Sequence, residues 1–289
     1  MAQSYSAANQ FDQHFRCLII YEAVMITRRS LPLLLSPWIL RGQAASPDVT
    51  WSRFISWLQT QTQIKGGVPG VMSAYKEKLL ADGMSRAEAE AVVASFQVRA
   101  RTDPDFQRAT FNRIYSRSED NASRTIQPNA FLAEVIADLR PGKALDLGMG
   151  LGRNTIFLAQ KDWDATGIDL AEVGVTKAQE RARGLGISIN AVVADVNRFD
   201  LGKSQWDLIC LLYFVISDGM PNIRERIATA LKPGGLVVAE GFGQPGIDTL
   251  LAERSRWEPT KLKLLRLEYR QGVSDWGGNE LSRLLFQKA

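Results

Sequence analysis

Apolar residues gather along this chain in short runs whose spacing changes partway, and the spacing predicts the elements. Trp51, Phe54, Ile55 and Leu58 recur at helical intervals. Lys65-Gly66-Gly67-Val68-Pro69-Gly70 interrupts them, so a second helix is predicted over Val71 to Ala81, closed by Asp82-Gly83. Ser85-Arg86-Ala87-Glu88 has the form of a capping box, where serine and glutamate satisfy each other's backbone N–H groups, and opens a helix towards Arg101. Asp103-Pro104 marks a break.

Further on, strand-like and helix-like runs alternate. Phe131, Leu132, Val135, Ile136 and Leu139 share one helix face, and Arg140-Pro141-Gly142-Lys143 ends it. Ala144, Leu145 and Leu147 read as a short strand, followed by a glycine turn and a helical pattern from Thr155, Ile156, Leu158 and Ala159. Asp164 to Leu170 and Ile187 to Ala194 read as strands, with a helix from Ala171 to Arg183 between them. Trp206 to Tyr213 is continuously apolar, as suits a strand covered on both faces of a parallel sheet. Leu236 to Glu240 is a fifth strand, Ile247 to Trp257 is helix-like, and Leu262–Tyr269 and Ser282–Gln287 are strands separated by Gly277-Gly278, so the last two pair as an antiparallel hairpin. The expected organisation is an extension over residues 1–50, a helical appendage over 51–110 and an α/β domain over 111–289.

Composition narrows the chemistry. The 289 residues are 45% hydrophobic and 23% charged, which suffices for a sizeable core. A net charge of +4 with no dense Lys/Arg block describes a solvated surface, and no nucleic-acid partner is expected. Cys17 and Cys210 do not make a disulfide framework, because Cys210 falls inside an apolar strand pattern. The single histidine is His14, so the main domain has no histidine base, triad or zinc site, and no metal is predicted. Met25 to Ala45 carries Arg28-Arg29, a short apolar run and small residues, the layout of an export leader with Met25 as its start. Pro32, Pro37 and Arg41 fit a packed N-terminal segment instead, and the run is too short to span a bilayer.

The candidate chemistry centres on Ala144 to Ala159. Gly148, Gly150 and Gly152 remove side chains at a strand-to-helix turn, where backbone N–H groups and a helix N-terminus can face a ligand. Asp146 just before them would repel a pyrophosphate but suits a ligand bearing an ammonium and hydroxyls. Asp169 follows a second strand roughly 20 residues on, the spacing of an acid that holds ribose hydroxyls.

Asp146-Leu-Gly-Met-Gly-Leu-Gly152 resembles motif I of the class I S-adenosylmethionine (SAM)-dependent methyltransferases, and Leu231-Lys-Pro-Gly-Gly235 running into Leu236–Glu240 resembles their fifth-strand turn. The resemblance implies an α/β, Rossmann-like fold with a mostly parallel seven-stranded sheet and a C-terminal antiparallel hairpin. It implies SAM as cofactor, held by Asp146, Gly148, Gly150, Gly152 and Asn154, with Asp169 on both ribose hydroxyls beside Leu170. In the same family an acid at the position of Asp195 meets the adenine amino group and the backbone N–H of Val196 a ring nitrogen; Leu211 completes the set. Tyr115 falls in a segment that folds over the cofactor in many such enzymes; it either closes over SAM or fills core.

Methyl transfer from a sulfonium needs mainly alignment and exclusion of water, which agrees with a histidine-free domain. Leu211-Leu212-Tyr213-Phe214 lacks the N-P-P-Y pattern of many methyltransferases acting on DNA bases or protein glutamine. The runs P-N-A-F-L-A-E-V and W-D-L-I are similar to small bacterial methyltransferases of the tellurite-resistance and thiopurine type, which implies a small-molecule acceptor and, with SAM made in the cytoplasm, a cytoplasmic enzyme. Tyr213, Asp218 and Glu240 lie near strand C-terminal ends, where ligands bind in open α/β sheets, and are candidates to touch that acceptor. No catalytic base stands out. The competing expectations are an RNA or protein methyltransferase, a non-catalytic SAM-binding protein, and an NAD(P)-dependent oxidoreductase; Asp146, Asp195 and the terminal hairpin argue against the last.

Overall fold

In a computed structural model the chain divides between Phe96 and Gln97 into two units. Residues 47–61, 64, 67–100, 102–117, 127–217, 219–242, 252, 254–271 and 280–289 are described. The segment read as a leader at 25–45, most of the helix expected over Ile247 to Trp257, and Asp218 lie outside them. No helix among the described residues is long and apolar enough to cross a membrane.

The first unit contains α1 (Pro47–Gln59), α2 (Gly67–Ala81) and most of α3 (Arg86–Arg99). Its interior is aromatic: Phe54 lies 4.7 Å from Tyr75 and 4.9 Å from Phe96, and Trp51 meets Phe96 edge-on at 4.9 Å. Such pairs add about 0.5–1.5 kcal/mol each beyond the area they bury. The capping box forms, with Ser85 N donating to Glu88 Oε2 at 2.9 Å and Glu88 N to Ser85 Oγ at 3.4 Å. The second helix begins at Gly67, earlier than its glycines and proline suggest. Pro69 falls in the first turn, where no N–H is needed, and burial of Val71, Met72, Tyr75 and Leu79 outweighs the roughly 1 kcal/mol that a helical glycine costs.

The second unit opens with α4 (Pro104–Ser116). Asp103 caps it, accepting from Asp105 N and Phe106 N at 3.0 Å, so Asp103-Pro104 is a helix start as well as a break. The helix straddles residue 110 and belongs as a whole to this unit. There follow α5 (Ala130–Ile136), β1 (Lys143–Leu147), α6 (Arg153–Gln160), β2 (Asp164–Asp169), α7 (Glu172–Gly184), β3 (Asn190–Val193), β4 (Trp206–Leu212), α8 (Ile223–Ala230), β5 (Leu231–Phe242), β6 (Lys263–Gln271) and β7 (Glu280–Gln287). They form one seven-stranded sheet in the order β3-β2-β1-β4-β5-β7-β6. The first five strands pair in parallel, and β7 runs antiparallel between β5 and β6. The expected sheet and hairpin are therefore present. The third strand is shorter than its apolar run because Ile187 N donates to Ala182 O, at 2.9 Å, closing α7 instead of entering the sheet.

Side-chain alternation along the strands makes two cores. Leu145, Leu147, Ile209, Leu211 and Val237 pack with Ile227 of α8 and with Trp257. Ala144, Leu208, Cys210, Val238 and Leu285 pack with Phe131 and Leu132 of α5 and Leu158 of α6. Asp146 alternates with Leu145 and Leu147 and so points to the second of these faces, which is why a carboxylate is buried there.

Candidate functional site

The turn from Gly148 to Gly152 joins β1 to α6, and all three of its glycines adopt positive φ: +72°, +54° and +76°. Side chains rarely tolerate that region. The turn is fixed by Gly148 N and Met149 N donating to Ile168 O at 2.9 and 3.0 Å. A Cβ on Gly148 would meet the Phe214 ring at 2.6 Å, one on Gly150 the Tyr115 hydroxyl at 2.9 Å, and one on Gly152 the Ala178 Cβ at 2.6 Å. The chain's own side chains thus approach the turn closely, and Gly152 serves the packing of α6 on α7.

Two buried acids stand beside it. Asp169 ends β2, accepting from Gly150 N through Oδ2 and from Ala171 N through Oδ1, both at 2.8 Å. A carboxylate has about four acceptor sites, so with a third backbone bond from Leu170 some capacity for a ligand hydroxyl remains. Burial pushes its carboxyl above the ordinary value, and these backbone bonds restrain the rise. Asp146 is 1% exposed and accepts from Thr155 Oγ1 at 2.8 Å. Burial raises its pKa from the ordinary 3.8 to about 6; the Thr155 bond and the Arg153 charge oppose that rise, and the Asp169 charge adds to it. A cation arriving here would restore the charged form.

Asp195 lies just past β3, next to β2 in the sheet. Ala194 N donates to Asp169 O at 2.9 Å, keeping the two strand ends together. The Asp195 carboxylate accepts from Asn197 N at 2.9 Å and stands 3.9 Å from Arg198 Nε, while Val196 is buried. The glycine turn, Asp146, Asp169, Leu170, Asp195 and Val196 are therefore brought to the C-terminal ends of three neighbouring strands. Asn154 and Leu211 are placed differently. Asn154 Oδ1 accepts from Asn129 N at 2.8 Å, facing the start of α5, and Leu211 is packed into the core inside β4.

Tyr115 joins this group from α4. Asn112 Oδ1 accepts from Val173 N at 3.0 Å in the first turn of α7, and Lys177 Nζ donates to Tyr115 O at 3.0 Å. These contacts hold the ring over Gly150 and Gly174. Burial, then the charges of Asp169 and Asp146, push its phenol well above the ordinary tyrosine range, so it stays protonated.

A second polar cluster occupies the ends of β4 and β5. Glu240, 3% exposed, accepts from Tyr213 Oη at 3.0 Å and Arg283 Nε at 2.6 Å, and also from Asn129 Nδ2. Asn129 Oδ1 in turn caps α5 through Leu132 N at 3.0 Å. Tyr213 has φ +60°, a strained value for a bulky residue. The Arg283 guanidinium lies 5.0 Å from the Phe131 ring centre. Sequence patterns singled out neither Asn129 nor Arg283, since their partner Glu240 is 111 and 43 residues away.

Residues 144–235 match the methyltransferase domain family, a span running from the start of β1 past Asp169 and Asp195 to the turn that opens β5. This span is similar to a methyltransferase domain. Over 108 residues the chain is 35% identical to phosphoethanolamine N-methyltransferase 3 of Arabidopsis thaliana, covering 36% of this chain and 22% of that protein. A stretch of 122 residues is 25% identical to the probable SAM-dependent methyltransferase TehB of Haemophilus influenzae, covering 41% of each. The chain thus spans less than half the length of these curated relatives. Among solved structures, a TehB-like SAM-dependent methyltransferase from Corynebacterium glutamicum is 22% identical with a TM-score of 0.48, over 62% of this chain and 98% of that one.

Proposed function

We propose that the second unit binds SAM and directs transfer of its methyl group to a small-molecule acceptor. The observation that carries this is the row of Asp146, the glycine turn, Asp169 and Asp195 at adjacent strand ends, with the two buried acids held by hydroxyl and backbone N–H donors and their carboxyls raised by burial. Asp146 suits an ammonium, because a nearby positive charge relieves a carboxylate raised by burial. Asp169 suits the ribose diol, and Asp195 with Val196 N suits the adenine edge. When bound, SAM supplies a methyl group already activated on a sulfonium. The protein's share is to orient the cofactor through these acids, to exclude water with Tyr115 and Phe214 beside the turn, and to align the acceptor at the ends of β4 and β5.

The acceptor is a small polar nucleophile. The relative named for phosphoethanolamine makes that amine a suitable first member of a screen. Calorimetric titration of the full chain with SAM and S-adenosylhomocysteine (SAH) tests the cofactor, with micromolar binding expected and no binding by a folded sample opposing it. Labelled-methyl transfer to a panel of small amines, thiols and phenols, beside tRNA and a protein mixture, tests the acceptor class; incorporation confined to a macromolecule would overturn the small-molecule reading.

A further inference from the structure

The turn that carries Asp195 is held from outside by one residue of α8. Arg226 Nη1 donates to Val196 O at 3.0 Å and Asn197 O at 3.3 Å, and Nη2 donates to Phe199 O at 2.6 Å. Carbonyls from one short segment thus converge on a single planar fork, the geometry that guanidinium supplies and ammonium does not. The backbone N–H groups of the turn close on Asp195 itself. Arg198 N and Phe199 N donate to Asp195 O at 2.9 and 2.8 Å, and Asn197 N donates to its carboxylate at 2.9 Å. Asn197 Nδ2 also donates to Gly219 O at 3.1 Å. With Arg226 removed, three carbonyls lose a charged donor, and the segment loses its tie to α8.

Such a tie matters for recognition. An acid that distinguishes bases by one hydrogen bond does so only if it stands in a fixed place; a wandering acid accepts water or a different edge. We infer that Arg226 is a positioning residue for adenine recognition: through the backbone of Val196, Asn197 and Phe199 it holds Asp195 and Val196 N where they tell adenine from other bases. This rests on the reading of the domain as a SAM binder. Arg226 itself touches no ligand.

The test compares SAH with S-inosylhomocysteine, whose base carries a carbonyl in place of the adenine amino group, by calorimetry on the full chain. The unaltered protein is expected to favour SAH by more than about tenfold, since a site built around a donor rejects the analogue lacking it. Arg226→Met, which keeps the apolar stem, should weaken SAH about tenfold and bring the ratio of the two affinities close to one; Arg226→Lys should recover part of both. Lys232→Met, which removes a 2.7 Å ion pair with Asp207 at the opposite end of the sheet, should leave the ratio unchanged. An unchanged ratio in Arg226→Met, whether or not affinity falls, would overturn the inference, as would an equal change in Lys232→Met. Equal binding of both ligands by the unaltered protein would overturn it while leaving SAM in place. Binding of neither would overturn the SAM reading itself. Should the Arg226 variants not fold, amide hydrogen exchange on the unaltered chain decides. Slow exchange at Arg198 and Phe199 before ligand is added is expected; exchange that slows only with SAH would overturn the pre-positioned turn.

Discussion

The two polar clusters at the strand ends of the second unit differ in the kind of donor that holds their acids. At β1 to β3, Asp146 accepts from the Thr155 hydroxyl and Asp169 from the backbone N–H groups of Gly150 and Ala171, and burial leaves both carboxyls raised. At β4 to β5, Glu240 is held by Tyr213, Asn129 and Arg283 from three separate parts of the chain. The first arrangement is stable only at a cost that a cation and hydroxyls would relieve. The second already holds its cation, Arg283. A site poised for a ligand and a site that holds the fold can therefore be told apart by what their buried charges still lack.

That contrast can be broken by substitutions acting on one cluster at a time. The largest effect is expected from Gly150→Val, which places a branched side chain at φ +54° against the Tyr115 hydroxyl. SAM binding should fall by more than about 100-fold, through backbone strain and a filled approach, with far-UV circular dichroism unchanged. Calorimetric binding at full strength would show that the cofactor does not use this turn. Arg283→Met should act on the other cluster and on stability, costing about 3 kcal/mol in urea denaturation by leaving the Glu240 charge buried and unpaired. Its SAM affinity should change by less than about threefold, a smaller effect than loss of a charged hydrogen bond would give. A large fall in affinity with little loss of stability would reverse the roles assigned to the clusters.

Asp169→Ala should weaken SAM by about 30-fold, the scale of losing charged hydrogen bonds to the ribose hydroxyls. Unchanged affinity would remove Asp169 from the site. The smallest effect is the dependence on pH. With Asp146 near 6 and a ligand ammonium favouring its ionised form, SAM affinity should rise up to about tenfold between pH 5 and 7, and Asp146→Asn should flatten the rise. The sign for stability is opposite. The folded pKa lies above the ordinary 3.8, so the free fold binds more protons than the unfolded chain between those values, and this group lowers stability as pH climbs towards 6. Thermal melts of the free protein and of Asp146→Asn should converge at low pH, with the variant more stable at pH 7.

Legibility in the sequence followed the same division. The turn, the acid Asp169 at the end of the second strand and the terminal hairpin were all visible, because each rests on short-range spacing or strand alternation. Helix limits were less so: the Gly67–Gly70 stretch looks like a breaker until Val71, Met72 and Tyr75 are seen to be buried. Ile187 reads as strand until its N–H is found closing α7. Asn154 and Leu211 show the limit for sites. Family position alone cannot say that one faces Asn129 and the other the core.

The sequence by itself determined the alternation of strands and helices, the positive-φ turn that only glycines accept readily, and the order of acids along the strand ends. Those depend on backbone sterics and on periodicity within a few residues. Only the tertiary structure decided that Arg226 grips the turn after β3, that Tyr115 lies over Gly150, and that Arg283 neutralises Glu240. Each of these joins residues far apart in the chain, and nothing local to either partner specifies the other; the fold of the sheet and its helices brings them within reach.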